Sequence, residues 1–433
     1  MLFNSYAFLL LFLPSTFLIY HGLRRFRFDR VAIGFLVFAS LIFYGWWNPI
    51  YLILLGVLIL GNYVIVRWLI GTPTERDSSR TLALIIGIGC NLAILGYFKY
   101  ANFFVENVNA ISGSRFSLAT IILPLGISFF TFQKIALMVD AYQGKVPSLN
   151  FLDYALFVSF FPQLIAGPIV HHSEVMPQFQ RRGSVGADVI VQGTVIFVIG
   201  LFKKVMLADT LAHYASPPFD AAASGASLGA IGAWTGAIAY TLQLYFDFSG
   251  YSDMAIGAAL LFGIRLPLNF ASPYKAASII EFWRLWHMTL SRFLRDYLYI
   301  PLGGNRRGSI RRYTNVLITM LLGGLWHGAG WTFVVWGGFH GLCLIVNRGW
   351  QALRMRVAGP LAGPSLPGRV AGGCLTFLIV VVGWVLFRAV DMRSAFKMLQ
   401  AMAGMSPTTS SNDAIDIAGL LLIASLLAFM ARP

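Results

Sequence analysis

Two histidines of this chain stand beside tryptophan in otherwise apolar runs: His287 in Glu281-Phe-Trp-Arg-Leu-Trp-His287, and His327 in Gly323-Gly-Leu-Trp-His327-Gly-Ala-Gly330. An ionisable side chain at membrane depth is expensive and by default marks a function. Imidazole titrates near neutrality, and a positioned one contributes about 10²–10⁴-fold as a proton-transfer group. One chemistry these residues suit is activation of a hydroxyl for attack on an acyl carbon, with His327 boxed by glycines as the leading candidate; the other reading of His327 is a core histidine that bridges helices. The other histidines read differently. His21, His171, His172 and His213 sit at the edges of apolar runs, where interfacial solvation accounts for them. His340, in Gly337-Gly-Phe-His340-Gly341, serves either as helix–helix glue or to shape the site. No H-E-x-x-H or H-x-x-E-H spacing accompanies any of them, so no metal site is expected. Neither a Gly-x-Ser-x-Gly elbow nor a phosphate-binding G-x-x-x-x-G-K-[ST] loop occurs, which argues against a serine hydrolase and against an ATP-driven pump.

The elements that must position these groups are membrane helices. Hydrophobic residues make up 58% of the 433 and charged residues 11%, where a soluble domain carries roughly 25% charged; mean hydropathy is +0.72. Apolar windows of spanning length, about 20 residues, fall near 3–20, 31–47, 50–70, 81–98, 118–139, 151–170, 187–207, 226–247, 254–270, 314–347, 371–390 and 414–431. They predict an all-α polytopic membrane protein, one domain over 1–433, with about ten to twelve inserted segments. Leu123-Pro-Leu-Gly126 and Ala166-Gly-Pro168 make some of these re-entrant. Polar breaks are expected at 72–80, 99–117, 144–150, 171–184, 216–227, 348–368 and 391–413. Glycine pairs at 225/229, 232/236, 324/328 and 337/341 permit close helix approach. Those around His327 predict a kinked or crowded backbone through 314–347. Winding 281–301 as one helix puts Trp283, Leu290, Leu294 and Tyr297 on one face and Glu281, Arg284, Arg292, Arg295 and Asp296 on the other. His287 falls at the boundary of this interfacial amphipathic helix, and Arg292 and Asp296 form an i,i+4 pair of opposite sign.

The formal charge of +15 does not imply nucleic acid. The basic residues cluster between apolar segments, at 24–30, 306–312 and 348–356, as cytoplasmic loops facing anionic lipid do. This places the N-terminus outside and the first span running inward; residues 1–21 lack the features of a cleaved signal peptide. The same cations suit an anionic ligand arriving from the cytoplasm. Cys90, Cys343 and Cys374 fall singly in apolar runs and predict neither disulfide nor metal.

Four blocks then bear a resemblance: Tyr251-Ser-Asp-Met-Ala-Ile-Gly257, Glu281-Phe-Trp-Arg-Leu-Trp-His287, Leu294-Arg-Asp-Tyr-Leu-Tyr-Ile-Pro-Leu-Gly-Gly-Asn305 and Leu322-Gly-Gly-Leu-Trp-His-Gly-Ala-Gly-Trp-Thr-Phe333. With weaker echoes at 123–133, 160–169 and Trp384-Val-Leu-Phe-Arg388, they resemble the membrane-bound O-acyltransferases, in particular the bacterial alginate O-acetyltransferase-like branch. The resemblance implies a ring of helices around a central tunnel, with His327 as catalytic histidine and His287 as a second, tunnel-lining one. It further implies supporting roles for Arg284, Asp296 and Tyr299, and a donor path along Trp283, Trp286, Trp326 and Asp253. Phe339 stands where relatives often carry Trp, which weakens any role carried to His340. The chain ends at Ala431-Arg-Pro433, where the family leads one to expect a few more residues or a further helix.

The function so implied is O-acetyl transfer from cytoplasmic acetyl-CoA, a substrate and not a resident cofactor, across a bacterial inner membrane. The acceptor is a hydroxyl of an extracytoplasmic polysaccharide or of a periplasmic partner bearing a Ser-His-Asp (SGNH-type) site. Membrane lipid is a further partner; nucleic acid is not. An exporter or flippase of polysaccharide or acylated precursors is the alternative, and it predicts inverted repeats that the sequence lacks. A purely structural subunit of a synthase is a third reading.

Overall fold

The computed structural model describes residues 1–72, 78–119, 121–306, 308–358 and 365–406, with 421 and 425. Among them the chain is helical, without a β-strand. In order come α1 (Ala7–Arg25), α2 (Asp29–Gly45), α3 (Ile50–Gly71), α4 (Ser78–Ser112), α5 (Ile127–Tyr142), α6 (Phe151–Ser159), α7 (Phe161–Leu164) and α8 (His172–Val175). Then follow α9 (Ala187–Ser224), α10 (Ala230–Leu261), α11 (Ile279–Leu285), α12 (Met288–Leu294), α13 (Gly308–His327), α14 (Trp331–Ala358), α15 (Leu366–Arg388) and α16 (Met392–Met402). Among the described residues five helices, α1, α3, α4, α9 and α15, are long and apolar enough to cross a membrane. The span expected at 414–431 lies outside the described residues except at 421 and 425.

The chain divides into two compact units. The first comprises Met1–Leu201 and Tyr251–Leu268, the second Phe202–Gly250 and the described part of Asn269–Pro433. Phenylalanine organises the first. Phe3, Phe8, Phe43 and Phe161 are buried against one another, and Phe3 stacks on Tyr251 at 4.9 Å. Polar side chains then fix the helices. Asn91 donates to the Asn62 side-chain oxygen at 2.6 Å, joining α4 to α3, a bond of the kind that holds helices together in lipid. Arg80, buried at the start of α4, donates to the carbonyls of Leu69 (2.7 Å), Thr72 and Tyr142 (2.8 Å). It thereby satisfies the orphan C-terminal carbonyls of both α3 and α5.

Tryptophan and tyrosine organise the second unit. Trp286, Trp336 and Trp384 are buried together, with ring centroids of Trp384 at 4.9 Å from Trp286 and 5.8 Å from Trp336. Their polar edges are partly satisfied through Tyr274, which accepts from Trp384 Nε1 at 3.2 Å and donates to the Thr241 carbonyl at 2.7 Å. Lys204 bridges Asp209 and Asp247 at 2.8 and 2.7 Å.

Several expected breaks are corrected. The polar stretch after Lys99 is not a loop: α4 continues to Ser112, because no Gly or Pro interrupts it before Gly113, whose φ of 68° ends it. The two spans expected at 226–247 and 254–270 are one helix, α10: no proline occurs within it, its glycines do not break it, and Gly263 (φ 75°) follows its end. Pro217 and Pro218 lie inside α9 instead of opening a loop. They are accommodated by a neighbour without a side chain, since a methyl on Gly236 would approach Pro218 to 2.7 Å. His213 is therefore helical, its Nδ1 2.9 Å from the Asp209 carbonyl. Finally, the break expected at 391–413 begins with α16, capped by Asp391, which accepts from the Ser394 N–H at 2.7 Å.

Candidate active site

His327 owes its position to glycine. The 314–347 stretch folds as two antiparallel helices, α13 and α14, separated by Gly328-Ala-Gly330, and His327 is the last residue of the first. A side chain on Gly324 would strike the Phe333 carbonyl, and one on Gly337 the Met320 carbonyl. On Gly341 it would come within 3.0 Å of Leu317 Cδ1 and 3.3 Å of Met320 Cβ. Gly324 and Gly337 thus face each other across the hairpin, and Gly341 lies against Leu317 and Met320, as close helix packing in lipid requires. The expected kink is located at 328–330, while α13 runs unbroken through Gly323-Gly324. His327 is half-buried, with its ring 4.8 Å from Trp326, 5.2 Å from Trp336 and 5.2 Å from Phe387.

The single amphipathic helix expected over 281–301 is not formed. α11 ends at Leu285, Trp286 is extended, and His287 takes a left-handed conformation with φ 43° before α12 starts at Met288. Instead of lying on the border between a polar and an apolar helix face, His287 sits between two short helices and is 1% exposed. The cause is Asn269, on a segment running alongside. Its carbonyl accepts from the Met288 N–H at 2.9 Å, and Ala271 donates to the Leu285 carbonyl at 3.1 Å. These bonds replace the helical ones that the 281–301 periodicity would have used.

The same asparagine sets the state of the imidazole. Its Oδ1 accepts from Thr289 Oγ1 at 2.9 Å and from the Thr289 N–H at 3.4 Å, and lies 3.0 Å from His287 Nδ1. A backbone N–H can only donate, so the atom facing it is the amide oxygen, and His287 Nδ1 carries the hydrogen it donates. The Nε2 lone pair is left buried without a hydrogen-bond partner among the described residues. An oriented imidazole with a free Nε2 is the arrangement of a base or of a group that accepts from substrate.

Trp326 joins the two histidines: its ring is 6.3 Å from His287 and adjacent to His327. Beyond Trp336 lies His340, fully buried, its ring 5.0 Å from Trp336 and 5.3 Å from Trp283, with no hydrogen-bond partner at either nitrogen among the described residues. Trp286 packs against Phe270 at 5.0 Å and Trp384. His287, His327, Trp283, Trp286 and Trp326 therefore converge in one aromatic cluster. Arg284 is exposed. Asp296 pairs with Arg295 at 2.7 Å, and Tyr299 donates to Asn305 at 2.6 Å; neither appears in this cluster's contacts. Asp253 belongs to the first unit. Sequence reasoning did not single out Asn269, for which no local signal exists, nor Trp336 and Phe387, although the latter lies in the 384–388 block.

A cavity of about 990 Å³ in the same unit is walled by Phe339, Cys343, Trp350, Leu375 and Ile379, with Glu281, Arg354 and Arg369 as its charged members. It has the apolar lining and sparse polar groups of a small-molecule site. The described residues contain no group of His, Cys, Asp and Glu suited to hold a metal ion.

Residues 97–358 match the membrane-bound O-acyltransferase family. The chain is 45% identical to the peptidoglycan O-acetyltransferase of Helicobacter pylori, over 94% of this chain and 80% of that protein. It is 43% identical to a probable alginate O-acetylase of Pseudomonas aeruginosa, over 99% and 80%. Over 52% of its length it is 30% identical to a teichoic acid D-alanyltransferase of Streptococcus thermophilus, covering 57% of that protein.

Proposed function

From a chain that belongs to the membrane-bound O-acyltransferase family, and is thus a membrane acyltransferase, we propose a specific reaction. It moves an acetyl group from cytoplasmic acetyl-CoA to a hydroxyl of an extracytoplasmic polysaccharide, directly or through a periplasmic acetyl-accepting protein. The setting is a bacterial inner membrane. The observation that carries this reading is the convergence of His287 and His327 on Trp326. Two related proteins named for O-acetyl transfer to peptidoglycan and, with lower certainty in the name, to alginate support a glycan acceptor.

In this reaction His327 takes the proton of the acceptor hydroxyl as its oxygen attacks the thioester carbonyl carbon. The tetrahedral intermediate collapses with loss of the sulfur, which leaves as the thiol after regaining a proton from the imidazolium. One C–O bond forms, one C–S bond breaks, and the histidine is restored. His287, held by Asn269, presents Nε2 to whichever reactant hydroxyl or water reaches it. The two substrates arrive from opposite faces through a tunnel meeting at His327, with Trp283, Trp286 and Trp326 along the donor side. The exposed Arg306 and Arg311, with Arg312 stacked on Tyr313, raise the local concentration of the anionic donor; Arg307 lies outside the described residues.

The deciding experiment compares ester-linked acetate on isolated outer glycan in cells carrying the native gene, none, or the His327→Ala form. Labelled acetyl-CoA is supplied to the cytoplasmic face of oriented vesicles in parallel. Label on the glycan with the native protein alone is expected. Equal ester content in all three strains rules the reading out.

A further inference from the structure

The first unit contains a second cavity, of about 1120 Å³, with an unusual charge balance. Arg24, Arg25, Arg27, Arg30 and Arg182 line it, with Asp29 the only carboxylate among the described residues of the wall. Two of these cations are already neutralised: Arg24 lies 3.3 Å from Asp29, and Arg30 is 2.7 Å from Asp153. Arg25, Arg27 and Arg182 have no acidic partner among the described residues, and all three are exposed.

Loop charge for membrane orientation needs no particular geometry. Here there is one. Arg24 is 8% exposed, and its guanidinium donates to the carbonyls of Arg181 at 2.8 Å and Gly183 at 2.6 Å. It thereby holds Arg182, distant in sequence, against the end of α1. Arg27 is placed by the cap of the same helix. Its N–H donates to the Arg24 carbonyl and that of Phe28 to Leu23, both at 3.0 Å, and Arg27 takes the left-handed position (φ 61°) normally given to glycine. A glycine there would ease the turn but remove a cation from the rim. Phe28 and Val31, each 56% exposed, add apolar surface beside the charges.

We infer that this cavity is a binding site for an anionic phosphate ester, recognised by the three unpaired guanidinium groups of Arg25, Arg27 and Arg182. Guanidinium forks match phosphate oxygens two at a time. The phosphate can belong to the headgroup of an anionic phospholipid, with its acyl chains against Phe28 and Val31, or to a soluble nucleotide ester. The site does not depend on the transfer reaction or on the roles of His287 and His327.

The test uses the full chain in neutral detergent, titrated with phosphatidylglycerol, with phosphatidylcholine, and with coenzyme A as soluble phosphate ester, binding being read by native mass spectrometry. Saturable binding of phosphatidylglycerol over phosphatidylcholine assigns the lipid source, and binding of coenzyme A the soluble one. In either case affinity falls as salt is raised. Combining Arg25→Gln, Arg27→Asn and Arg182→Gln, with asparagine chosen because it tolerates the left-handed backbone, is expected to weaken binding about tenfold or more, the loss of charge-assisted hydrogen bonds. Since these changes also alter loop charge, Ser184→Trp adds an indole at a lining position of the same cavity with every charge retained, and is expected to weaken binding with orientation intact. Native protein that binds neither anionic probe in preference to phosphatidylcholine overturns the inference. So does a correctly inserted Ser184→Trp protein with native affinity, which would leave the arginines a role in topology alone.

Discussion

His287 donates its Nδ1 hydrogen to the side-chain oxygen of Asn269 across 3.0 Å, and that oxygen also receives both donors of Thr289. One amide therefore fixes the tautomer, the ring orientation and the backbone turn of a buried histidine. Orienting groups of this kind decide which nitrogen faces a reactant.

Asn269→Leu is expected to lower turnover with donor KM changing less, because the imidazole loses its orientation and Thr289 its acceptor. Leaving buried donors unpaired costs about 1–3 kcal/mol, so thermal stability falls as well. Asn269→Asp keeps an acceptor at the same place and should recover part of the turnover. Kinetics of both variants in vesicles check this, and native kcat in Asn269→Leu contradicts it.

His327→Ala is expected to leave an inserted protein with native thermal stability within about 1 kcal/mol, since the imidazole is only half-buried. Its transfer rate should fall about 10²–10⁴-fold, the contribution of a positioned proton-transfer group. Single-turnover transfer from labelled donor separates this from a loss of binding.

Gly337→Ala is expected to destabilise the α13–α14 hairpin, because the added methyl meets the Met320 carbonyl, backbone that cannot rotate away. Overpacking of this sort costs about 1–3 kcal/mol. Gly349→Ala, further along α14 with nothing within 4 Å of the new carbon, should be neutral or stabilising by helix propensity. Melting both variants side by side distinguishes packing from propensity.

The Asp391 carboxylate is held below its ordinary range by the Ser394 N–H and hydroxyl. A carboxyl depressed in the folded state contributes stability above its unfolded value, about 3.9, and that contribution disappears as pH falls through the folded value. Asp391→Ala should therefore lower α16 stability by about 0.5–2 kcal/mol at neutral pH, as cap removal does. The difference from the native protein should vanish in strong acid. Hydrogen exchange of the α16 amides across pH follows it.

What sequence alone conveyed was the membrane class and the tryptophan-flanked setting of His287 and His327. Apolar windows reported where helices lie, because insertion into lipid depends on composition more than on partners. The windows were poor at ends. Polar residues after Lys99 resembled a loop although nothing sterically stops α4 before Gly113. Pro217-Pro218 looked like a break although Gly236 makes room for them. The 281–301 helix failed for another reason: periodicity counts side-chain faces and is blind to a distant asparagine that offers the backbone different partners. Glycines around His327 were legible as an interruption, since they act within a few residues of it. The indole and phenyl rings surrounding it arrive from α14 and α15, and only packing brings them together.

His287 also occupies a backbone conformation that side-chain-bearing residues disfavour by about 1–2 kcal/mol. Glycine would adopt it more easily. Replacement by glycine should relieve the turn while deleting the imidazole, so the relief partly offsets whatever stability the lost ring contacts supplied. Stability and turnover are thus set against each other at this single position. On the role proposed for His287, the ring that would serve the reaction is also the one that holds this turn in a disfavoured conformation.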